Sequence, residues 1–320
     1  MSSEKGVEKA FQDAVDRALC RASREPIENL MAEGSACAAR RINGAMLELK
    51  KLREGWDQPN YTDCDVALFY TQWYLPQQVN IAYSHSLEVL RQRPLSSWGK
   101  NKLLLVDYGA GTGAMIIGLS LALSIQPKEH LPDRIGVVRI DHSAMLDLGD
   151  AIWSGLRDEI TGQPILDGVA EVMDKAGFEG VAPGNERKIG SPSTRKDAER
   201  WVTAIHVVYE QGKKAIDAKF DLLCDRVMPH VRIRTVPSLK MPLLESDLAD
   251  EGGPLPVDLC LTGSAQRMTR LRARLRNHFG DKLSSLSTEY LTGSVPWTHI
   301  GKNNSPLAET VYRPGVSLDA

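Results

Sequence analysis

Residues 102 to 125 read KLLLVDYGAGTGAMIIGLSLALSI, and no other stretch of this sequence constrains the fold as tightly. Leu103, Leu104, Leu105 and Val106 form a short unbroken apolar run, the pattern of a parallel strand covered on both faces. The run ends in Asp107 and Tyr108. Gly109, Gly111 and Gly113 then alternate with Ala110 and Thr112, ahead of an apolar stretch with the length of a helix. A strand that passes through a glycine turn into a helix is the start of an open α/β sheet. The turn leaves backbone that a ligand can approach closely.

The chain downstream repeats the alternation. Gly136 to Ile140 reads as a second strand ending at Asp141 and His142. Ser143 is placed to cap a helix carrying Met145, Leu148 and Ile152. Gly177 to Lys196 is rich in Gly, Pro, Ser and charge and reads as a loop or insertion. Trp201 to Ile205 reads as a fourth-position strand, residues 211 to 227 as a helix, His230 to Val236 and Val257 to Leu261 as strands. A further helix opens near Ser264, and residues 308–313 supply a last strand. The expected fold is α/β, a mostly parallel sheet with helices on both faces.

The first hundred residues have helical periodicity. Val7, Phe11, Val15 and Leu19 mark one stripe, and Pro26 stands where a second helix can begin. Ile42, Met46, Leu49 and Leu52 continue the period. A third helix starts near Asp63 and ends before Pro76, with Val66, Phe69, Tyr70 and Trp73 on its apolar face. A fourth carries Val79, Ala82, Tyr83, Leu87 and Leu90. The expected division is a helical amino-terminal cap or substrate region over residues 1–100 and a cofactor-binding α/β domain over 101–320.

Composition removes several classes of function. The 320 residues hold 39 Lys+Arg against 41 Asp+Glu, a net charge of −2, so the chain lacks the overall basic excess of a protein that coats nucleic acid. No apolar run approaches the ~18 residues that span a bilayer. The first twenty residues mix charge into every turn, unlike a secretory leader. The 5 cysteines are scattered, with no CxxC pair, so neither a disulfide framework nor a zinc cage is expected. A cytoplasmic protein with no metal and no membrane contact is the expectation.

The glycine spacing, Gly109-x-Gly111-x-Gly113, is one residue tighter than the dinucleotide GxGxxG. Asp107 stands two residues before the first glycine, where it would repel a pyrophosphate and attract an ammonium. S-adenosylmethionine carries an α-ammonium and a sulfonium and no phosphate. Asp141, ending the next strand, suits its two neighbouring ribose hydroxyls, since a carboxylate accepts in bidentate fashion. The cofactor-binding candidates are Asp107, Tyr108, Gly109, Ala110, Gly111, Gly113, Asp141 and His142. A glycine turn that binds nothing and a nucleotide-dependent oxidoreductase are the competing readings.

VDYGAGTGA followed by IDHSAML resembles motif I and the post-I segment of class I S-adenosylmethionine-dependent methyltransferases. The resemblance covers residues 102–155. It implies a Rossmann-like sheet whose last strand is antiparallel, and transfer of a methyl group by in-line displacement. The segment DVALFYTQWYLPQQVNIAYSHSLEVL, just ahead of that motif, resembles the upstream helices of the ribosomal small-subunit methyltransferase-like family. That implies rRNA methylation or a non-catalytic role in ribosome assembly. Members of that family often carry a cysteine cluster for an iron–sulfur centre. Here Cys224 and Cys260 are the only cysteines of the later half, so none is expected.

Catalysis is less legible. His206, at the carboxyl end of the fourth strand, with Tyr209 and Glu210 after it, is placed where ligands bind open sheets. A helix-start histidine is the plain alternative. Four tyrosines, Tyr61, Tyr70, Tyr74 and Tyr83, fall within 23 residues. Aromatic rings at helical spacing make core, or a lid over a flat or cationic ligand, with Tyr70 and Tyr74 the candidates for the cofactor. Arg267, Arg270 and Arg274 share a helix face that is either solvated or a phosphate-binding edge for RNA. The methyl acceptor stays open among small molecules, RNA and protein.

Overall fold

The computed structural model describes residues 4–54, 59–92, 102–182, 198–204, 258–263, 293–294 and 306–312. β1 (Lys102–Tyr108) runs directly into the glycine turn and α4 (Ala114–Ser124). α4 follows α1 (Glu4–Ala32), α2 (Ser35–Glu54) and α3 (Cys64–Gln92). A 3₁₀ turn, Lys128–His130, leads to β2 (Arg134–Ile140) and α5 (Ser143–Ile160). Then come α6 (Asp167–Asp174), β3 (Ala176–Val181), β4 (Ala198–Ala204), β5 (Asp258–Gly263), β6 (Gly293–Ser294) and β7 (Pro306–Tyr312).

The sheet order is β3-β2-β1-β4-β5-β7-β6. β3, β2, β1, β4 and β5 are parallel, and β7 is antiparallel to both β5 and β6. A mixed sheet with a parallel centre is what the strand–helix alternation implies. In sequence, the order runs outward from β1 to β3 on one side and from β4 on the other. The direction therefore reverses between β1 and β4, and in such sheets ligands collect beyond the strand ends at that point.

α4 is apolar and buried along its length, from Ala114 to Leu123, so it lies inside the protein with cover on all sides. Its one hydroxyl in that stretch, on Ser120, donates to the Ile116 carbonyl at 2.8 Å. The main core joins Leu103 and Leu105 of β1 with Ile135 and Val137 of β2 and Trp201 of β4. Phe11, Val15 and Leu19 of α1, Val79 and Tyr83 of α3, and Ile152 and Leu156 of α5 complete it. On the alternate positions Leu104, Val106, Val138 and Ile140 are buried too. The helices expected at residues 211–227 and from Ser264 lie outside the described residues, as does the strand expected at 230–236.

Several expectations need correction. Pro26 does not start a helix, because α1 is continuous through it. Pro26 is on the exposed side, while Ser23 and Leu30 on either side of it are buried. Pro76 likewise does not separate two helices, because α3 runs from Cys64 to Gln92 through it. An interior proline costs about 3 kcal/mol. Leu75, Val79, Ala82, Tyr83, Leu87 and Leu90 are all buried on that helix. At roughly 1.5–3 kcal/mol per large apolar side chain their burial outweighs the proline. The start near Asp63 holds, for its Oδ1 accepts from the Asp65 N–H at 2.8 Å.

On α2 the buried residues are Ala38, Ala45 and Leu49, with Met46 exposed, and Ala45 and Leu49 pack against Val66, Ala67 and Tyr70 of α3. Residues 177–181, expected to open a loop, belong instead to β3, which pairs with β2. Ser143 is the first residue of α5 and caps nothing, since the N-cap position is His142. The Asp141 carboxylate holds the His142 N–H and fixes the extended backbone there.

Candidate functional site

The glycine turn is built from backbone conformations that side chains rarely adopt. Gly109, Gly111 and Gly113 have φ of 67°, 54° and 90°. A Cβ at any of these positions would be strained. The Gly109 and Ala110 N–H groups donate to the Ile140 carbonyl at 2.9 and 3.3 Å, binding the turn to the end of β2. α5 presses on it from the other side, for a Cβ at Gly149 would lie 3.1 Å from the Thr112 backbone. No side chain caps the start of α4.

Asp141 latches the turn. Its Oδ2 accepts from the Gly111 N–H at 2.6 Å and its Oδ1 from the His142 N–H at 2.7 Å. A carboxylate accepts through both oxygens, the chemistry that two neighbouring ligand hydroxyls require. Asp107, Gly111 and Asp141 are therefore gathered at one place, with His142 attached through its N–H. Tyr108 pairs with Ile140 at the last register position of β1.

Asp107 is 3% exposed. In the parallel register it stands beside Arg139 of β2 and Thr203 of β4. The three make a polar row across the strand ends, in the same alternation as the apolar Leu105, Val137 and Trp201. The Thr203 hydroxyl donates to Asp107 Oδ1 at 2.6 Å. Burial pushes the Asp107 carboxyl up to about 7; the Thr203 hydrogen bond opposes the rise, the charge of Asp141 adds to it and that of Arg139 opposes it. Arg139 is buried. It pairs with Asp150 of α5 and lies 4.8 Å from the centre of the Phe178 ring.

The aromatic cluster reaches the turn through one methionine. Tyr70 packs in one cluster with Met145, Ala45, Leu49 and Val66, with Tyr61 and Tyr74 against it. The Tyr70 and Tyr74 ring centres are 4.8 Å apart. The Tyr70 hydroxyl accepts from Gln78 Nε2 at 2.7 Å. Met145 Cε lies 3.5 Å from the position of a Cβ on Gly111.

His206, Tyr209 and Glu210 lie outside the described residues, as do Arg267, Arg270 and Arg274. Sequence reasoning did not assign Thr203, Arg139 or Met145 to the site, and Met145 stood there only as an apolar position of α5. Arg139 carried a signal, a charge inside the apolar run GVVRI. Thr203 carried less, a lone hydroxyl in WVTAI. Its partner is 96 residues away, and only the strand register brings them together. Among the described residues no group of three or more His, Cys, Asp or Glu side chains is arranged to hold a metal. No described helix is long and apolar enough to cross a membrane.

No protein-family model matches the chain, and no curated protein sequence does. Among solved structures it is similar to a Thermoplasma acidophilum protein, at 11% identity over 86% of this chain and 97% of that one, with a TM-score of 0.31. It is similar to the C-terminal domain of precorrin-6Y C5,15-methyltransferase from Rhodobacter capsulatus, at 13% identity over 70% and 88%, TM-score 0.30. It is also similar to the mitomycin 7-O-methyltransferase MmcR, at 15% identity over 84% and 66%, TM-score 0.31. Likeness at this level does not bear on function, which rests on the site itself.

Proposed function

We propose that the chain is a class I S-adenosylmethionine-dependent methyltransferase with a helical amino-terminal cap. The observation that carries the proposal is the placement of Asp107, the GAGTG turn and Asp141 together beside the β1–β4 reversal of the sheet. The antiparallel β7 agrees with the last strand that the sequence resemblance implies.

The residues present fit the cofactor. Three glycines without Cβ atoms give open backbone over the strand ends. Asp141 is the candidate acceptor for two ribose hydroxyls, and its bond to Gly111 ties that carboxylate to the turn. Asp107, two residues before Gly109 at the end of β1, is the candidate counter-charge for an α-ammonium. Bound S-adenosylmethionine supplies the electrophilic methyl. The protein's task is then to align an acceptor with it, and a general base is needed only for a reluctant, protonated nucleophile. His206, Tyr209 and Glu210 are the candidates for that base. Tyr70 and Tyr74 are candidates for the cofactor pocket, because the Met145 contact carries their cluster to Gly111.

The acceptor is tested with methyl-labelled S-adenosylmethionine and fractionated cell extract. Label is expected in one fraction, and its chemistry distinguishes a small molecule, an RNA and a protein. Cofactor binding with no label in any fraction would favour the assembly-factor alternative.

A further inference from the structure

We propose that Thr203 is a positioning residue for ligand recognition, holding Asp107 so that its carboxylate forms the counter-charge to an ammonium beneath the glycine turn. The inference rests on the cofactor reading above and adds a residue from a distant strand to that site. Three observations carry it. Thr203 and Asp107 occupy adjacent register positions on β4 and β1, the two strands between which the sheet order reverses. Their side chains join at 2.6 Å, and both are buried. Leu103, Leu105 and Trp201, in the same alternation, are apolar core, so a polar pair here interrupts a surface that would pack better without it.

Position explains what the pair does. A hydroxyl that donates to a carboxylate favours its ionised form, the form that attracts a cation. Among the described residues the charged groups acting on Asp107 are Arg139 from β2, which favours the ionised form, and Asp141 just beyond β2, which opposes it. Asp141 is held by two backbone N–H groups. With its carboxyl held at about 7, Asp107 carries a proton in the ligand-free protein below that pH. Arrival of an ammonium moves that proton to bulk solvent. Without the Thr203 hydroxyl the proton is held more tightly and the ligand must displace it.

Two probes separate this role from a structural one. S-adenosylhomocysteine has the amino-acid group. 5′-Methylthioadenosine has the same adenosine and thioether without the ammonium. Isothermal titration from pH 6 to 9 should show S-adenosylhomocysteine binding strengthening from pH 6 toward 7.5, with proton release that varies with buffer ionisation. Methylthioadenosine should show neither. Thr203→Val should weaken S-adenosylhomocysteine about tenfold at pH 7 and move the acid limb up by about one pH unit. Methylthioadenosine should change less than about twofold, and Thr203→Ser should restore the wild-type profile. Equal losses for both probes, or a Thr203→Val profile like wild type, would overturn the role of Thr203. The wild-type proton release needs no variant, so a poorly folding Thr203→Val leaves the idea testable, and its absence would overturn it. If wild type binds neither probe, the cofactor reading itself fails. If it binds both without an acid limb, only the present proposal does.

Discussion

The contact between α3 and α4 and the carboxyl ends of β1, β2 and β4 are both buried, yet their chemistry is opposite. At the first, Gly118 lets α4 approach so closely that an added Cβ would lie 2.5 Å from the Val79 carbonyl oxygen and 2.7 Å from the Ala82 Cβ. Apart from the self-satisfied Ser120, that stretch of α4 is hydrocarbon and glycine. At the second, Arg139, Asp107 and Thr203 lie side by side with almost no water contact. The first region stabilises the fold, at roughly 25 cal/mol for each Å² of apolar surface removed from water. The second costs desolvation that a hydrophobic row would avoid. Local departures from good packing of this kind concentrate where function needs them.

The sharpest way to break this contrast is at Gly118. Gly118→Val places its new atoms against helix backbone, which moves only with the helix. It should cost more than about 3 kcal/mol and abolish the cooperative urea transition. A variant within 1 kcal/mol of wild type would show that α3 and α4 are not packed this tightly.

Next in size is Asp141→Ala. It removes the latch on Gly111 and the acceptor for the ribose. S-Adenosylhomocysteine binding should weaken by roughly 1.5–3 kcal/mol in a protein that stays folded. Equal affinity in the folded variant would assign the ribose to another residue.

Asp107→Asn should move stability the opposite way. The wild-type carboxyl has its proton affinity raised from 3.8 to about 7 on folding. Between those values the folded protein binds more protons than the unfolded chain, so stability declines as pH rises from about 4 to 7. Above 7 the full cost remains, and below 4 it vanishes. Asparagine still accepts from Thr203 and has no such slope. The variant should gain of the order of 1–2 kcal/mol at pH 8, gain little at pH 4 and bind the cofactor more weakly. A loss of stability at pH 8 would mean that Asp107 serves folding.

The smallest effect belongs to Tyr70→Phe, which strips the acceptor from Gln78 and should cost about 1 kcal/mol by thermal unfolding. If the tyrosines form a lid, amide exchange over residues 61–83 slows when S-adenosylhomocysteine binds. A core helix is protected already.

Much of this was legible because it is local. The run LLLV, the GAGTG turn and the apolar helix after it lie within 24 consecutive residues, and the sequence periodicity matches β1 and α4. β3 was not legible. AGFEGV contains two glycines and is largely open to solvent, as an edge strand can be, so it lacks the apolar signature of a central strand. The two prolines misled for a related reason, since tertiary burial of the surrounding stripe overrides the local penalty. Within the site, Asp107 and Asp141 stood out as acids at strand ends. The Thr203–Asp107 bond could not, because parallel register between β1 and β4 is a property of the assembled sheet.

The central claim is that the turn holds S-adenosylmethionine rather than a dinucleotide, and competitive calorimetry tests it most directly. S-Adenosylhomocysteine should bind in the micromolar range, about −8 kcal/mol, with NAD unable to displace it. Binding of NAD with no binding of S-adenosylmethionine or S-adenosylhomocysteine would contradict the account.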